Sequence, residues 1–330
     1  EPIAEASGRV APGARVYRLS PAASHSWIAV NRLLAAGADV YRNETNGDFY
    51  VPVDGAADLA ADLAQELGAR FDATGEPPTA HRRLRAPRIG LYSGFVPFMD
   101  EGWTRWLLEQ YEFDPRRLDN ARIRRGGLRE EFDAIVLPDA EPRLLHGGYL
   151  ASASVRGVRT PPEYTGGIED EGVAALREFV ERGGALLAIN QAAEYAIERL
   201  NLPVENLLAN VGARQFFAPG SLLWADVDLA HPLTFGLRPR EAVWFEDGPA
   251  FRPAYGRGDN AAARAVLRYP GERVLASGAL LGEEALAGRA AVMEAPLGRG
   301  RVVLYGIRPQ YRAQSNATFK LLFNGLYYWR

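Results

Sequence analysis

The chain has 330 residues, 47% of them apolar, and its 38 basic and 41 acidic side chains leave a net charge of -3. That is ample for a buried core in one large domain or two, and the near balance of charge argues against a nucleic-acid footprint or a polybasic membrane patch. There is no cysteine, which excludes disulfides, thiolate zinc sites and a cysteine nucleophile; the four histidines leave little for a metal centre, and no apolar run is long enough to span a membrane.

Residues 1–85 read as a small α/β unit. Short strands over 15–19, 39–43 and 48–53 alternate with helical patterns over 26–38 and 56–69. The stretch 73–87, rich in Gly, Pro and charge, reads as a linker into a second domain over 86–330. There the rhythm becomes strand then helix. A strand over 88–93 precedes a helix from about Asp100 to Phe113, and a second strand covers 132–139. After a Gly-, Pro- and Ser-rich loop (140–167) come a helix over 169–183, a wholly apolar strand over 185–190 and a helix over 191–202. Alternation of this kind predicts a parallel sheet with helices on both faces. Strand-rich insertions follow between 210 and 300, then a core strand over 301–307 and a closing helix over 316–329. The glycines of PLGRGRVV (296–303) precede a strand rather than a helix, so they predict a turn and not a phosphate loop.

In an open parallel sheet, ligands sit at the carboxyl ends of the strands. Four places qualify: 93–100, Asp139, Asn190 and 308–310. Asn190 stands where a buried strand turns directly into a helix, the arrangement of a nucleophile elbow. An amide there is no nucleophile, whereas Asn is a preferred helix N-cap. Asp100 and Glu101 open a helix, where acidic side chains match the dipole or could serve as pocket acids. Arg308, Tyr311 and Arg312 could form an anion-binding rim. Glu246 and Asp247 are read as capping a loop, with cation binding as the alternative. Trp103 and Trp106, three apart on a helix, predict packing rather than a carbohydrate platform. Asn43-Glu44-Thr45 and Asn316-Ala317-Thr318 match the glycosylation acceptor pattern, which also arises by chance.

Ala188-Ile189-Asn190-Gln191-Ala192 resembles the G-x-C-x-G elbow of class I glutamine amidotransferases, and Gly306-Ile307-Arg308-Pro309-Gln310 resembles their G-V-x-x-H-P-E signature, shortened by a residue or two. The resemblance implies a flavodoxin-like, class I glutamine amidotransferase-like fold. In it, Asn190, Arg308 and Gln310 stand at the cysteine, histidine and glutamate positions of the triad, with all three chemical roles lost.

A wider resemblance rests on NRLLAAGADVYR (31–42), residues 88–113, FDAIVLPD (132–139), residues 166–190 and residues 301–328, most specifically on DEGWTRW and RPQYRAQSNATFK. These are similar to the C-terminal region of large bacterial zinc carboxypeptidases of the carboxypeptidase A type. That resemblance implies an exported, extracellular or periplasmic protein, with a signal peptide and a peptidase domain preceding this region. The peptidase site itself is not written here. None of His25, His81, His146 and His231 has a glutamate three residues on. Zinc is therefore expected only in the upstream peptidase domain, with no cofactor in this chain. The first residue, Glu1, fits a processed protein or a piece of a longer one, and the single lysine, Lys320, among many arginines fits a high-GC bacterial source.

The resulting expectation is a non-catalytic accessory module, serving domain packing, oligomerisation or substrate presentation. Its expected partner is the upstream peptidase domain, with a homo-oligomer left open, and neither nucleic acid nor a membrane span is expected. A binding module would use Asp100, Glu101, Asp139, Asn190, Gln191, Arg308, Tyr311 and Arg312 for a small anionic or peptide ligand. A hydrolase would use Asp100, Glu101 and Asp139 as acid-base groups.

Overall fold

A computed structural model of the chain describes residues 8–77, 79–155, 157–254 and 263–329. The first unit contains β1 (Arg9–Val10), β2 (Val16–Leu19), α1 (Ser24–Ala35), β3 (Tyr41–Asn43), β4 (Phe49–Pro52), α2 (Ala57–Leu67), β5 (Arg70–Thr74) and β6 (His81–Arg83). Its strands form one sheet in the order β1-β5-β2-β4-β3-β6. β5 and β6 come from the stretch expected to be a linker or to flank it. β6 pairs with β3 along its whole length, so that part of the linker is sheet.

The second unit begins with β7 (Ile89–Tyr92), α3 (Met99–Gln110), β8 (Pro115–Leu118), the short helices α4 (Asn120–Arg124) and α5 (Leu128–Glu131), and β9 (Ala134–Leu137). The segment expected as loop contains α6 (Pro142–Gly147) and the hairpin β10 (Ser154–Val155) and β11 (Val158–Arg159); α7 (Glu169–Glu181), β12 (Ala185–Ile189) and α8 (Gln191–Arg199) follow. Then come β13 (Val204–Asn206), β14 (Ser221–Val227), β15 (Arg240–Phe245), β16 (Phe251–Pro253), β17 (Arg264–Arg268), β18 (Leu275–Ser277), β19 (Ala290–Leu297), β20 (Gly300–Tyr305) and α9 (Phe319–Leu326). Leu297 pairs with Gly300 across the β19–β20 hairpin, and Gly298 adopts φ 57°, so PLGRGRVV is the turn its glycines predict.

β8, β7, β9, β12 and β20 are parallel and adjacent in that order. Counted along the chain this is second-first-third-fourth-fifth, the flavodoxin-like order, and the fold is the expected α/β class. From β20 outward the same sheet turns antiparallel through β19, β17, β14 and β15, which contain the strand-rich insertions. The central parallel strands β7, β9 and β12 read as apolar runs because both of their faces are covered. Ala134 and Val136 of β9 with Ala185, Leu187 and Ile189 of β12 face α3 and α9, whereas Ile135, Leu137, Leu186 and Ala188 face α7 and α8. All are fully buried, and each large one contributes roughly 1.5–3 kcal/mol of transfer free energy.

The first unit shares the α9 side of this core. Trp27 of α1, fully buried, packs on Phe49 of its own sheet and on Phe323 and Tyr327 at α9. A polar clamp reinforces the junction. Asp133, with no exposed surface, accepts from Arg85 at 2.6 and 2.7 Å, from Arg88 at 2.9 and 3.1 Å and from Arg129 at 2.6 Å. Burial alone would raise its pKa; the three guanidiniums and the Arg88 amide reverse that and hold the carboxyl far below the usual range. No helix among the described residues is long and apolar enough to cross a membrane.

Candidate functional site

Four parallel strands bring polar side chains together in one largely buried cluster at their carboxyl ends. β7 leads into α3 and places Asp100 in its first turn, β9 runs on to Asp139, β12 enters α8 through Asn190, and β20 is followed by Arg308 and Gln310. The order of the sheet reverses between β7 and β9, so Asp100 and Asp139 flank the switch point, where open α/β sheets place ligands.

Asn190 is fully buried at φ 54° and ψ −119°. A side chain larger than hydrogen rarely adopts that conformation, at a cost of about 1–3 kcal/mol. Its backbone amide donates to the Tyr305 carbonyl at 2.7 Å and its Nδ2 to the Glu246 carbonyl at 3.3 Å, while Oδ1 has no donor among the described residues. The sequence predicts Asn190 as the side-chain N-cap of α8. Instead, Asp139 does this work, its Oδ1 accepting from the Gln191 amide at 3.1 Å. Gly248 lets the loop after β15 close over the elbow, since a β-carbon there would lie 2.5 Å from Asn190 Oδ1 and 2.4 Å from the Gly306 carbonyl oxygen.

Arg308 lies between three carboxylates. Its Nη2 meets Asp139 at 2.6 Å, its Nη1 meets Glu246 at 2.5 Å and its Nε lies 3.8 Å from Asp100. Gln310, fully buried, donates from Nε2 to Asp100 at 3.0 Å, and its Oε1 has no partner among the described residues. Three acids around one guanidinium leave the cluster rich in negative charge. Burial, reinforced by Asp139 and Glu246, pushes the Asp100 carboxyl up to about 6 against the pull of Arg308. Burial works against the Arg308 charge, but the three carboxylates outweigh it and hold the guanidinium protonated beyond its ordinary range.

Other predicted site residues do not join this cluster. Glu101 pairs with Arg105 one helical turn on, at 2.7 Å. Gln191 contributes its backbone amide only, as far as hydrogen bonds go. Tyr311 stacks on Trp244 with ring centroids 4.0 Å apart, and exposed Arg312 lies 5.2 Å above the Tyr311 ring. The anion-binding rim is therefore corrected. Arg308 turns inward and is neutralised by the protein's own acids, so the cleft does not present it to an anion.

Glu246 belongs to the cluster, a role beyond the loop cap or cation ligand that its sequence context suggests. Its position just past the alternating strand β15 is the one local signal of it. Trp103 and Trp106 contact each other, but Trp106 is 46% exposed, so packing accounts for only part of the pair. Asn43 is buried, and its Oδ1 accepts from the backbone and hydroxyl of Thr45 at 2.7 and 2.6 Å, a turn contact that leaves it unsuited to glycosylation; Asn316 is exposed. Beside the elbow lies a groove of about 430 Å³, lined in part by Glu194, Phe216, Phe217, Asp247 and Gly248. No group of three or more metal-ligating side chains occurs among the described residues, the Arg308 acids included.

No protein-family model matches the chain, and no curated protein matches it. Several solved structures align with it over about three quarters of its length. A candidate GMP synthase component from Thermoplasma acidophilum is 10% identical, with a TM-score of 0.42 over 72% of this chain and 92% of its own. A cytoplasmic protein from Salmonella typhimurium is 13% identical, with a TM-score of 0.43 over 74% of this chain and 99% of its own. A candidate ThuA-like protein from Bacteroides uniformis is 12% identical, with a TM-score of 0.39 over 76% of this chain and 94% of its own.

The turn at Asn190 has the backbone form of a strand-to-helix elbow and presents no nucleophile. Nothing at position 190 can form an acyl intermediate, and nothing at 308 or 310 can act as a base. An acid-base pair drawn from Asp100 and Asp139 would have to work through the Arg308 guanidinium that lies against both.

Proposed function

We propose that this chain is a non-catalytic, amidotransferase-like accessory module of a larger exported protein of the zinc carboxypeptidase type, acting in domain packing, oligomerisation or presentation of substrate. The observation that carries the non-catalytic reading is the elbow itself. A strained backbone built to present a side chain holds an amide, and the neighbouring triad position holds an arginine locked between Asp100, Asp139 and Glu246. The peptidase parent is carried by the sequence resemblance of residues 88–113, 166–190 and 301–328 alone.

Two measurements test the two halves. Purified chain incubated with glutamine and with C-terminally unblocked peptides is expected to release neither ammonia nor amino acids. Hydrolysis that disappears in Asn190→Ala or Arg308→Met would overturn the non-catalytic reading. An antibody against this chain is expected to detect a species far larger than 36.1 kDa in the source cells. A steady-state band near 36 kDa would remove the accessory relationship.

A second reading, a small-ligand module at the same cleft, is favoured by the two orphaned acceptors, Asn190 Oδ1 and Gln310 Oε1. In an acid-rich cluster these suit a donor such as an amine, not an anion. A thermal-shift series of amino acids and amines with no response would remove it.

A further inference from the structure

Buried ionic groups in this protein typically come with compensation. Asp133 has three arginines, Arg308 three carboxylates, Glu294 has His231 and Arg301, and Glu241 has Arg238. Arg42, on β3 in the first unit and only 4% exposed, has no acidic partner among the described residues. It donates to Oδ1 of Asn324, whose own Nδ2 is committed to the carbonyls of Leu233 and Phe235 at 3.0 Å each. Nε of Arg42 is buried with no acceptor among the described residues. Around the guanidinium stand the rings of Trp27, Phe49, Phe235 and Tyr327, with centroids 5.3–5.9 Å away. Ring faces attract a cation but do not neutralise it, and a buried charge without a counter-charge is costly. Burial, with the nearby positive charge of Arg82, accordingly weakens the proton affinity of Arg42 and brings its pKa down to about 9.

This arginine opens onto a cavity. A space of about 160 Å³ lies between the two units, lined by Arg42, Arg82, Asn43, Asn324 and Tyr328, with Glu44 also on its wall. It is too small for a drug-sized molecule, and its volume suits a single head group. Two guanidiniums, with the Asn43 amide beside them, are donors of the kind that recognise a planar or tetrahedral oxyanion; Arg82 also donates to the Tyr327 carbonyl, and the Asn324 amide is already used.

We propose that this cavity is an oxyanion site, in which a carboxylate or phosphate group binds Arg42 with help from Arg82 and supplies the negative charge that the fold leaves out. The site lies apart from the Asn190 cleft and does not depend on how that cleft is used. Because its walls come from β3 and β6 on one side and from α9 and the residues after it on the other, a bound oxyanion would also tie the two units together.

The test is a thermal-shift titration of the whole chain at pH 7.5 and fixed ionic strength, with sodium acetate or sodium phosphate replacing the salt of a bulky organic anion. The expected result is a saturable rise in Tm with at least one of the two. Acetate alone would assign a carboxylate, phosphate alone a phosphate group. Arg42→Met should abolish the rise. Should that variant fail to fold, Arg82→Gln carries the same test and should weaken the apparent affinity by about tenfold or more. Glu44→Gln should leave the affinity unchanged or tighten it. Flat titrations with both anions, or a rise that persists in Arg42→Met or at full affinity in Arg82→Gln, would overturn the proposal and leave Arg42 held by the aromatic rings alone.

Discussion

At position 190 two costs can be separated by experiment. Asn190→Ala and Asn190→Gly both remove the 3.3 Å bond to the Glu246 carbonyl, but only the glycine is at ease at φ 54° and ψ −119°. The glycine variant should therefore be more stable than the alanine variant by about 1 kcal/mol or more in denaturant unfolding. Equal stabilities would mean that the elbow relaxes when its side chain is cut back. Arg308 should be far less tolerant. Arg308→Met leaves Asp100, Asp139 and Glu246 facing one another, and a loss of about 3–5 kcal/mol is expected near neutral pH. The loss should shrink as the pH is lowered and the carboxylates take up protons. These residues are legible from the sequence as strand-end positions, but their roles are not. Asp139 reaches Arg308 across 169 positions and Glu246 does so across 62, and no local pattern encodes either pairing.

Among elements, the cleft and the interunit clamp respond to pH in opposite directions. Asp100 has a folded pKa raised from 3.8 to about 6, so the folded state binds its proton more tightly than the unfolded state does. Its favourable contribution is complete below about pH 4 and is lost as the pH climbs through 6, a swing on the order of 3 kcal/mol. Asp133 is depressed, so its contribution is complete above the ordinary aspartate range and is lost as the pH falls through and below it. Asp100→Asn should remove the slope between about pH 4 and 6 in unfolding free energy while leaving the loss at strongly acidic pH. A slope that survives this substitution would assign the titration elsewhere. Short elements are the least visible in the sequence. β6 (HRR) and β8 (PRRL) are rich in charge and have no apolar alternation; they are strands because β3 and β7 offer them a partner. The apolar runs of β9 and β12 are visible because burial on both faces leaves no other composition open to them.

Across the whole molecule, the two units are divided by their sheets but not by their core. Trp27 belongs to the first and packs on Phe323 and Tyr327 of the second. Trp27→Ala should cost about 3–5 kcal/mol, and it should lower one shared unfolding transition and not split off an early one. Two resolved transitions in calorimetry would show that the first unit melts independently. The sequence marks the change of rhythm near residue 86 but cannot show this sharing, because an aromatic on a helix looks the same whether it faces its own sheet or a neighbour's.

The retained elbow has a practical corollary. With no cysteine anywhere in the chain, Asn190→Cys would install a solitary thiol at the amino end of α8, where the helix dipole favours the thiolate. Because position 190 is sealed beneath Gly248 and its loop, an alkylating reagent could reach that sulfur only when the lid lifts. The rate of labelling would then act as a clock for the opening of the cleft.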